Sequence, residues 1–285
     1  MFHPLDKAIF HISLTVPQGL AAIANGQLVR TQGATMPDGS PAVTYHWQHN
    51  YPMASYLALA AAGHYLRVNE VSSSGVPLVH YYFPEFEEEY LEATDITAEA
   101  MDWMIELFGP YPFESYGQAT YYAMGVSMES QTMTLLSYQM LNERTVIHEL
   151  AHAWFGNWVT PETWADVWRN EGFATYVELL WMERQRPGAL AEEIARIEAE
   201  VAERAQIYPL DEPPPGRLLA FEAYNRGALL AHALRQEMGD EAFFGGLRLF
   251  FERYGGENAS HEEFQATLEE AAGFSLDEFF AGWLE

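Results

Sequence analysis

The chain of 285 residues contains no cysteine. Disulfides and thiolate-held metal centres are therefore excluded, although this absence does not assign a compartment. Basic residues are also scarce, with 14 Lys+Arg against 41 Asp+Glu and a formal net charge of −27. Such a surface repels phosphate backbones and anionic membrane surfaces, so nucleic acid is not an expected partner. No apolar run approaches the roughly 20 residues that a transmembrane helix needs. The start of the sequence shows no basic-then-apolar leader pattern. Internal repeats and low-complexity tracts are missing too. Apolar residues are plentiful at 49%, with 14% aromatics. That is ample for a buried core in one large domain or two ordinary ones.

Residues 1 to about 83 read as β. Alternating segments recur at Ala8–Val16, Val43–Trp47, Tyr56–Ala60 and Leu78–Phe83. Turn signals such as Asn25-Gly26 and Pro37-Asp38-Gly39 separate them. The character changes after Pro84. An acidic start at Glu85–Glu89 leads into helical spacing up to Phe108, where Gly109-Pro110 stops it. A strand is expected at Gln118–Tyr122. Helices are expected at Asn142–Trp154, Glu171–Arg184 and Leu190–Gln206, then at about 222–238, 240–254, 261–272 and 275–284. Three consecutive prolines make Asp211–Gly216 a loop. The division expected is 1–84, β-rich, and 85–285, mostly helical.

One constellation carries chemistry. His148-Glu149-Leu150-Ala151-His152 fits HExxH. On a helix, positions i and i+4 share a face, so both imidazoles can reach one Zn2+ ion at about 2.0–2.1 Å. Glu149 is offset by one residue and can face a water without ligating the metal, which suits a general base. The competing reading is two satisfied histidines on an amphipathic helix. Glu171 follows His152 after eighteen intervening residues, as a second helical segment begins. A His₂Glu set is a known catalytic zinc site with one position open, whereas Glu171 alone could be a dipole-favoured carboxylate near a helix start. Glu178, two turns further on, is equally a partner for a ligand imidazole or a solvated charge. The other eight histidines lack ligand spacing and read as structural or surface residues.

HELAHAWFGNWVT followed by WRNEGFATYVE resembles the gluzincin zinc aminopeptidases, the family of membrane alanyl aminopeptidase and leukotriene hydrolase. The resemblance covers nearly the whole chain. It implies an α+β fold: a β-rich N-terminal piece followed by a thermolysin-like, mostly helical zinc-peptidase catalytic domain. It also implies that the chain starts partway through the family's N-terminal β domain and lacks its C-terminal helical domain. Two sites carry over. The family grips the substrate's free α-amine through the Glu of a Gly-Ala-Met-Glu-Asn strand. Here Val126-Ser127-Met128-Glu129-Ser130 stands in its place, keeping only Met128 and Glu129. A family Tyr before a basic-Gly pair donates to the oxyanion, and Tyr224-Asn225-Arg226-Gly227 fits. Arg169 departs from the apolar residue usual before Asn-Glu-Gly. The activity implied is removal of N-terminal residues from peptide substrates. The alternatives are an endopeptidase or other zinc hydrolase on the same scaffold, or a non-catalytic peptide-binding relative. A shortened β domain is expected to leave sheet edges open to self-association. Compartment and preferred N-terminal residue are not legible.

Overall fold

The computed structural model of the chain describes residues 3–122, 125–204, 207–214 and 216–284. The described residues fall into two compact units, one dominated by residues 6–105 and 111–153, the other by 106–110 and 154–284.

In the first unit the strands are β1 (Lys7–Pro17), β2 (Ala21–Ala24), β3 (Gln27–Thr35), β4 (Pro41–Ala54), β5 (Ala60–Gly63), β6 (Leu66–Val71) and β7 (Pro77–Tyr82). Helices α1 (Glu87–Thr94) and α2 (Thr97–Phe108) follow, then β8 (Tyr116–Tyr121), β9 (Met133–Ser137) and α3 (Glu143–Ala151). β1, β4 and β3 form an antiparallel sheet with β4 central, and β2 pairs with β5. A four-stranded sheet runs β6-β7-β8-β9, antiparallel at β6–β7 and parallel thereafter. The α1–α2 segment makes the crossover that parallel pairing requires. Ile23, Trp47, Leu59, Tyr81, Ala119 and Met133 form one buried core. The Trp47 indole N–H is satisfied by the Ala22 carbonyl at 3.2 Å, so its large apolar area is buried without an orphaned donor.

Two differences from the sequence reading have local causes. The strand expected at Tyr56–Ala60 is a 3₁₀ turn at Ser55–Leu57, and β5 begins only at Ala60. Buried Asn25 takes the backbone there: its amide donates to the Leu57 carbonyl at 3.0 Å and its oxygen accepts from the Leu59 N–H at 2.6 Å. Groups used this way cannot join a ladder. The helix expected to run unbroken to Phe108 is two helices. The Thr94 hydroxyl donates back to the Tyr90 carbonyl at 2.8 Å where the first one ends, a competition with the helix ladder that Thr favours. β9 has no alternating signature in the sequence, because four of its five residues are buried and neither face is polar.

The second unit holds β10 (Thr160–Pro161), α4 (Val167–Gln185), α5 (Ala189–Glu203), α6 (Gly227–Met238), α7 (Asp240–Tyr254), β11 (Asn258–Ala259), α8 (His261–Ala272) and α9 (Asp277–Leu284). Ala205, Gln206 and Pro215, within the expected helix end and loop, lie outside the described residues. Aromatic rings fill this core. Phe155 stacks on Phe173 at 5.0 Å, and Phe264 meets Phe173 and Phe250 edge-on at 5.7 and 5.0 Å. Ser260 opens α8 with a capping box to Glu263.

Candidate metal centre

α3 starts where Asn142 caps it, its side-chain oxygen accepting from the Thr145 N–H at 3.0 Å. Val146, Ile147, Leu150 and Ala151 then bury one side of the helix. His148 and Glu149 fall in its last turn, and His152 is the C-cap with helical backbone angles. The two imidazoles therefore share a face, and their Nε2 atoms stand 3.1 Å apart. Two imidazoles on one tetrahedral ion, each at about 2.0–2.1 Å, would separate their nitrogens by about 3.3 Å. Glu171 is the fifth residue of α4. His148, His152 and Glu171 each offer one ligand atom, all within 4.8 Å of one another. Glu149, His152 and Glu171 are buried. The donor set, its spacing and its burial fit a small divalent cation with nitrogen and carboxylate ligands.

The Glu149 carboxylate reaches electrostatically into the same unit. Burial, with a smaller push from Glu149, holds the Tyr121 phenol above its usual range. Tyr116 is raised chiefly by burial, again with a contribution from Glu149, while its hydroxyl contacts Thr134 at 3.0 Å.

Tyr224 sits in the middle of a π-helical turn, Glu222–Arg226, that leads into α6. Such turns are rare and concentrate at functional sites. Arg226 anchors this one, donating to the Tyr208 carbonyl at 2.7 Å and the Trp283 carbonyl at 3.0 Å. Next to it α4 and α6 touch backbone to backbone. A Cβ on Gly172 would lie 2.5 Å from the Gly227 Cα, and one on Gly227 would lie 2.7 Å from the Gly172 Cα. This contact adjoins Glu171 on one side and follows Tyr224 by three residues on the other. The π turn has no periodic signal and was not legible in the sequence.

Met128 and Glu129 begin a short hairpin. Met128 and Leu135 exchange two backbone hydrogen bonds of 2.8 and 2.9 Å, and the Met133 N–H closes the turn onto the Ser130 carbonyl at 3.0 Å. Met128 packs on the buried cluster Met53, Ala54 and Leu57. Glu129 and Tyr224 are both half-buried. Glu178 is half-buried on α4. The departure at Arg169 has a structural account. Its guanidinium is buried, donates to the Ala259 and Ser260 carbonyls at 2.6 and 2.8 Å, and lies against the faces of Phe250 and Phe264. It ties the first turn of α4 to β11 and the start of α8.

The peptidase family M1 domain matches residues 83–283. Glutamyl aminopeptidase of Homo sapiens is 27% identical, over 98% of this chain and 32% of its own length. Aminopeptidase N of Streptomyces lividans is 29% identical, over 98% of this chain and 35% of its own. The chain thus spans about a third of the curated relatives it matches. Among solved structures, an M1 zinc metallopeptidase of Deinococcus radiodurans superposes with a TM-score of 0.88 at 30% identity, covering 99% of this chain and 65% of that one. A variant of that Deinococcus enzyme, bound to a Tyr-Ser-Ala substrate, gives a TM-score of 0.85 at 30% identity, with the same coverage. A match over this much of the sequence, joined to the ligand geometry above, has one conclusion: the chain belongs to peptidase family M1.

Proposed function

We propose that this chain is a zinc aminopeptidase unit: His148, His152 and Glu171 hold the ion, and Glu149 is the general base. The observation that carries this reading is the meeting of the three ligand atoms within 4.8 Å, with buried Glu149 next to His148 on α3. When bound, the ion would supply a Lewis acid that polarises the scissile carbonyl and acidifies water. Glu149 takes the proton from the attacking water and delivers it to the leaving amine. The Tyr224 hydroxyl donates to the carbonyl oxygen as it gains charge. The Glu129 carboxylate pairs with the substrate's ammonium group, and Met128 shapes the strand beside it. That pairing makes the enzyme an exopeptidase acting on peptides. The family match starting at Phe83 supports a division near residue 84 between a β-rich part and the catalytic part.

The test is hydrolysis of a peptide with a free N-terminus against its N-acetylated twin, with zinc content measured in parallel. Strong preference for the free amine is expected. Equal rates would convert the reading to an endopeptidase, and absence of both zinc and turnover would leave a binding protein. Tyr224→Phe should lower kcat by roughly 10²–10³, the usual cost of one oxyanion donor, with zinc content unchanged. A fully active variant would remove Tyr224 from the mechanism.

Self-association belongs to the same proposal. β6 is the edge of the four-stranded sheet and exposes Leu66, Val68 and Val71, the kind of edge that invites strand pairing. Sedimentation velocity showing a monomer at every concentration up to the solubility limit would refute it.

A further inference from the structure

Residues of the N-terminal β segment converge on the hairpin that carries Glu129. Asn25, fully buried, donates to the Gln131 carbonyl at 2.7 Å while its other bonds hold residues 57 and 59. The buried His49 ring contacts the Gln131 side-chain oxygen at 3.2 Å. The Gly26 N–H donates to the Thr132 hydroxyl at 2.7 Å. Gly26 itself has φ 82°, and a Cβ there would lie 2.1 Å from the Gln48 carbonyl oxygen, so this approach is open to glycine alone. Thr132 adopts φ 68°, the only positive φ of a non-glycine residue among those described. A β-branched residue in that region is strained, and strain of this kind persists only where the surroundings over-determine it. Here the surroundings are Asn25, Gly26 and His49. They fix the two residues that follow Glu129-Ser130, while the Met128–Leu135 pair fixes the residue before.

We propose that Asn25, Gly26, His49, Gln131 and Thr132 are positioning residues for substrate selection: the N-terminal β segment holds the Glu129 hairpin in the one register that presents its carboxylate to a substrate ammonium. This rests on the reading of Glu129 as the amine-binding group. The segment is then part of the recognition apparatus, and its contribution appears in KM for substrates with a free amine. A carboxylate displaced by about 1 Å loses much of its alignment, which can cost up to ~10²-fold. A solely structural network would change thermal stability and leave substrate discrimination as it was.

The test uses Thr132→Gly and Asn25→Ala, each alone and combined with Glu129→Ala. Thr132→Gly accepts the positive φ, so it removes the anchor without adding strain and decides the matter if Asn25→Ala does not fold. KM for a free-amine tripeptide is compared with the inhibition constant of the same tripeptide N-acetylated, at one zinc per chain. The expected result is a KM raised about tenfold for the free-amine peptide, an unchanged inhibition constant for the acetylated one, and kcat within about twofold. Adding Thr132→Gly to Glu129→Ala should then change nothing further, since residues acting through one contact are non-additive. An unchanged KM in Thr132→Gly, or an equal loss for both ligands, overturns the proposal. If instead Glu129→Ala alone leaves the free-to-acetylated ratio intact, the amine-binding reading fails first, and the two failures are told apart by that single variant.

Discussion

Glu149→Gln is expected to lower kcat by roughly 10²–10⁴-fold while the protein keeps one zinc per chain and its melting temperature. The amide has the shape of the carboxylate and still hydrogen-bonds, but it cannot take a proton from water or return one to the leaving amine. Glu149 is buried on α3 between residues that fix the helix, so the substitution changes chemistry and not position. KM should move little, because proton transfer belongs to the transition state and not to substrate binding. The measurement is steady-state hydrolysis of an aminoacyl arylamide with elemental analysis of the same sample. A variant retaining a tenth of wild-type kcat with full zinc would exclude Glu149 as the base.

Gly172→Ala should be nearly as damaging, for a mechanical reason. Gly to Ala inside a helix ordinarily stabilises, by up to ~1 kcal/mol. At Gly172 the new methyl meets the Gly227 Cα at 2.5 Å and its carbonyl carbon at 2.6 Å. These are backbone atoms, which cannot swing aside as a side-chain end would. Overpacking of this kind costs about 1–3 kcal/mol, which for a chain of this length lowers the melting temperature by roughly 2–4 °C per kcal/mol. Relief comes only by separating α4 from α6, which moves Glu171 away from the turn bearing Tyr224. Loss of kcat and weakened zinc retention should therefore accompany the loss of stability. Gly245→Ala on α7 is the control, because nothing lies within 4 Å of its added methyl; it should be neutral or stabilising. If Gly172→Ala behaved like Gly245→Ala, the close crossing would not matter.

The proposed metal ligands were legible because the chemistry that would join them is local. His148 and His152 need only one helical turn between them, and α3 supplies it. Glu171 could be added from the sequence because it too falls on a helix, although a distance of nineteen positions gave no geometric reason for the meeting. Glu129 and Tyr224 rested on resemblance alone, and composition or periodicity would not have singled them out. The network around Asn25 was hidden for a different reason. Asn25-Gly26 reads as an ordinary turn, and it is one, but the turn's side chain is spent on residues 57, 59 and 131. Long-range hydrogen bonds from a turn residue leave no period in the sequence. The same holds for Gly172 and Gly227, whose meaning lies wholly in the helix that each faces.

The buried bonds of Asn25 also impose an order on biosynthesis. The pairing of β1, β4 and β3 needs nothing beyond Ala54. Asn25 completes its hydrogen bonds only when Gln131 has been made, 106 positions later. At about 5–20 residues per second, the stretch from residue 54 to residue 131 takes roughly 4–15 s on the ribosome. Through that interval the Asn25 amide can reach the Leu57 carbonyl but lacks its second acceptor, and for part of it β7 waits for β8 with one ladder edge open. Slower translation lengthens the exposure instead of relieving it, because the missing partners are later in the chain itself. Expression yield should accordingly respond to chaperones that shield strand edges during synthesis more than to any stabilisation of the finished fold.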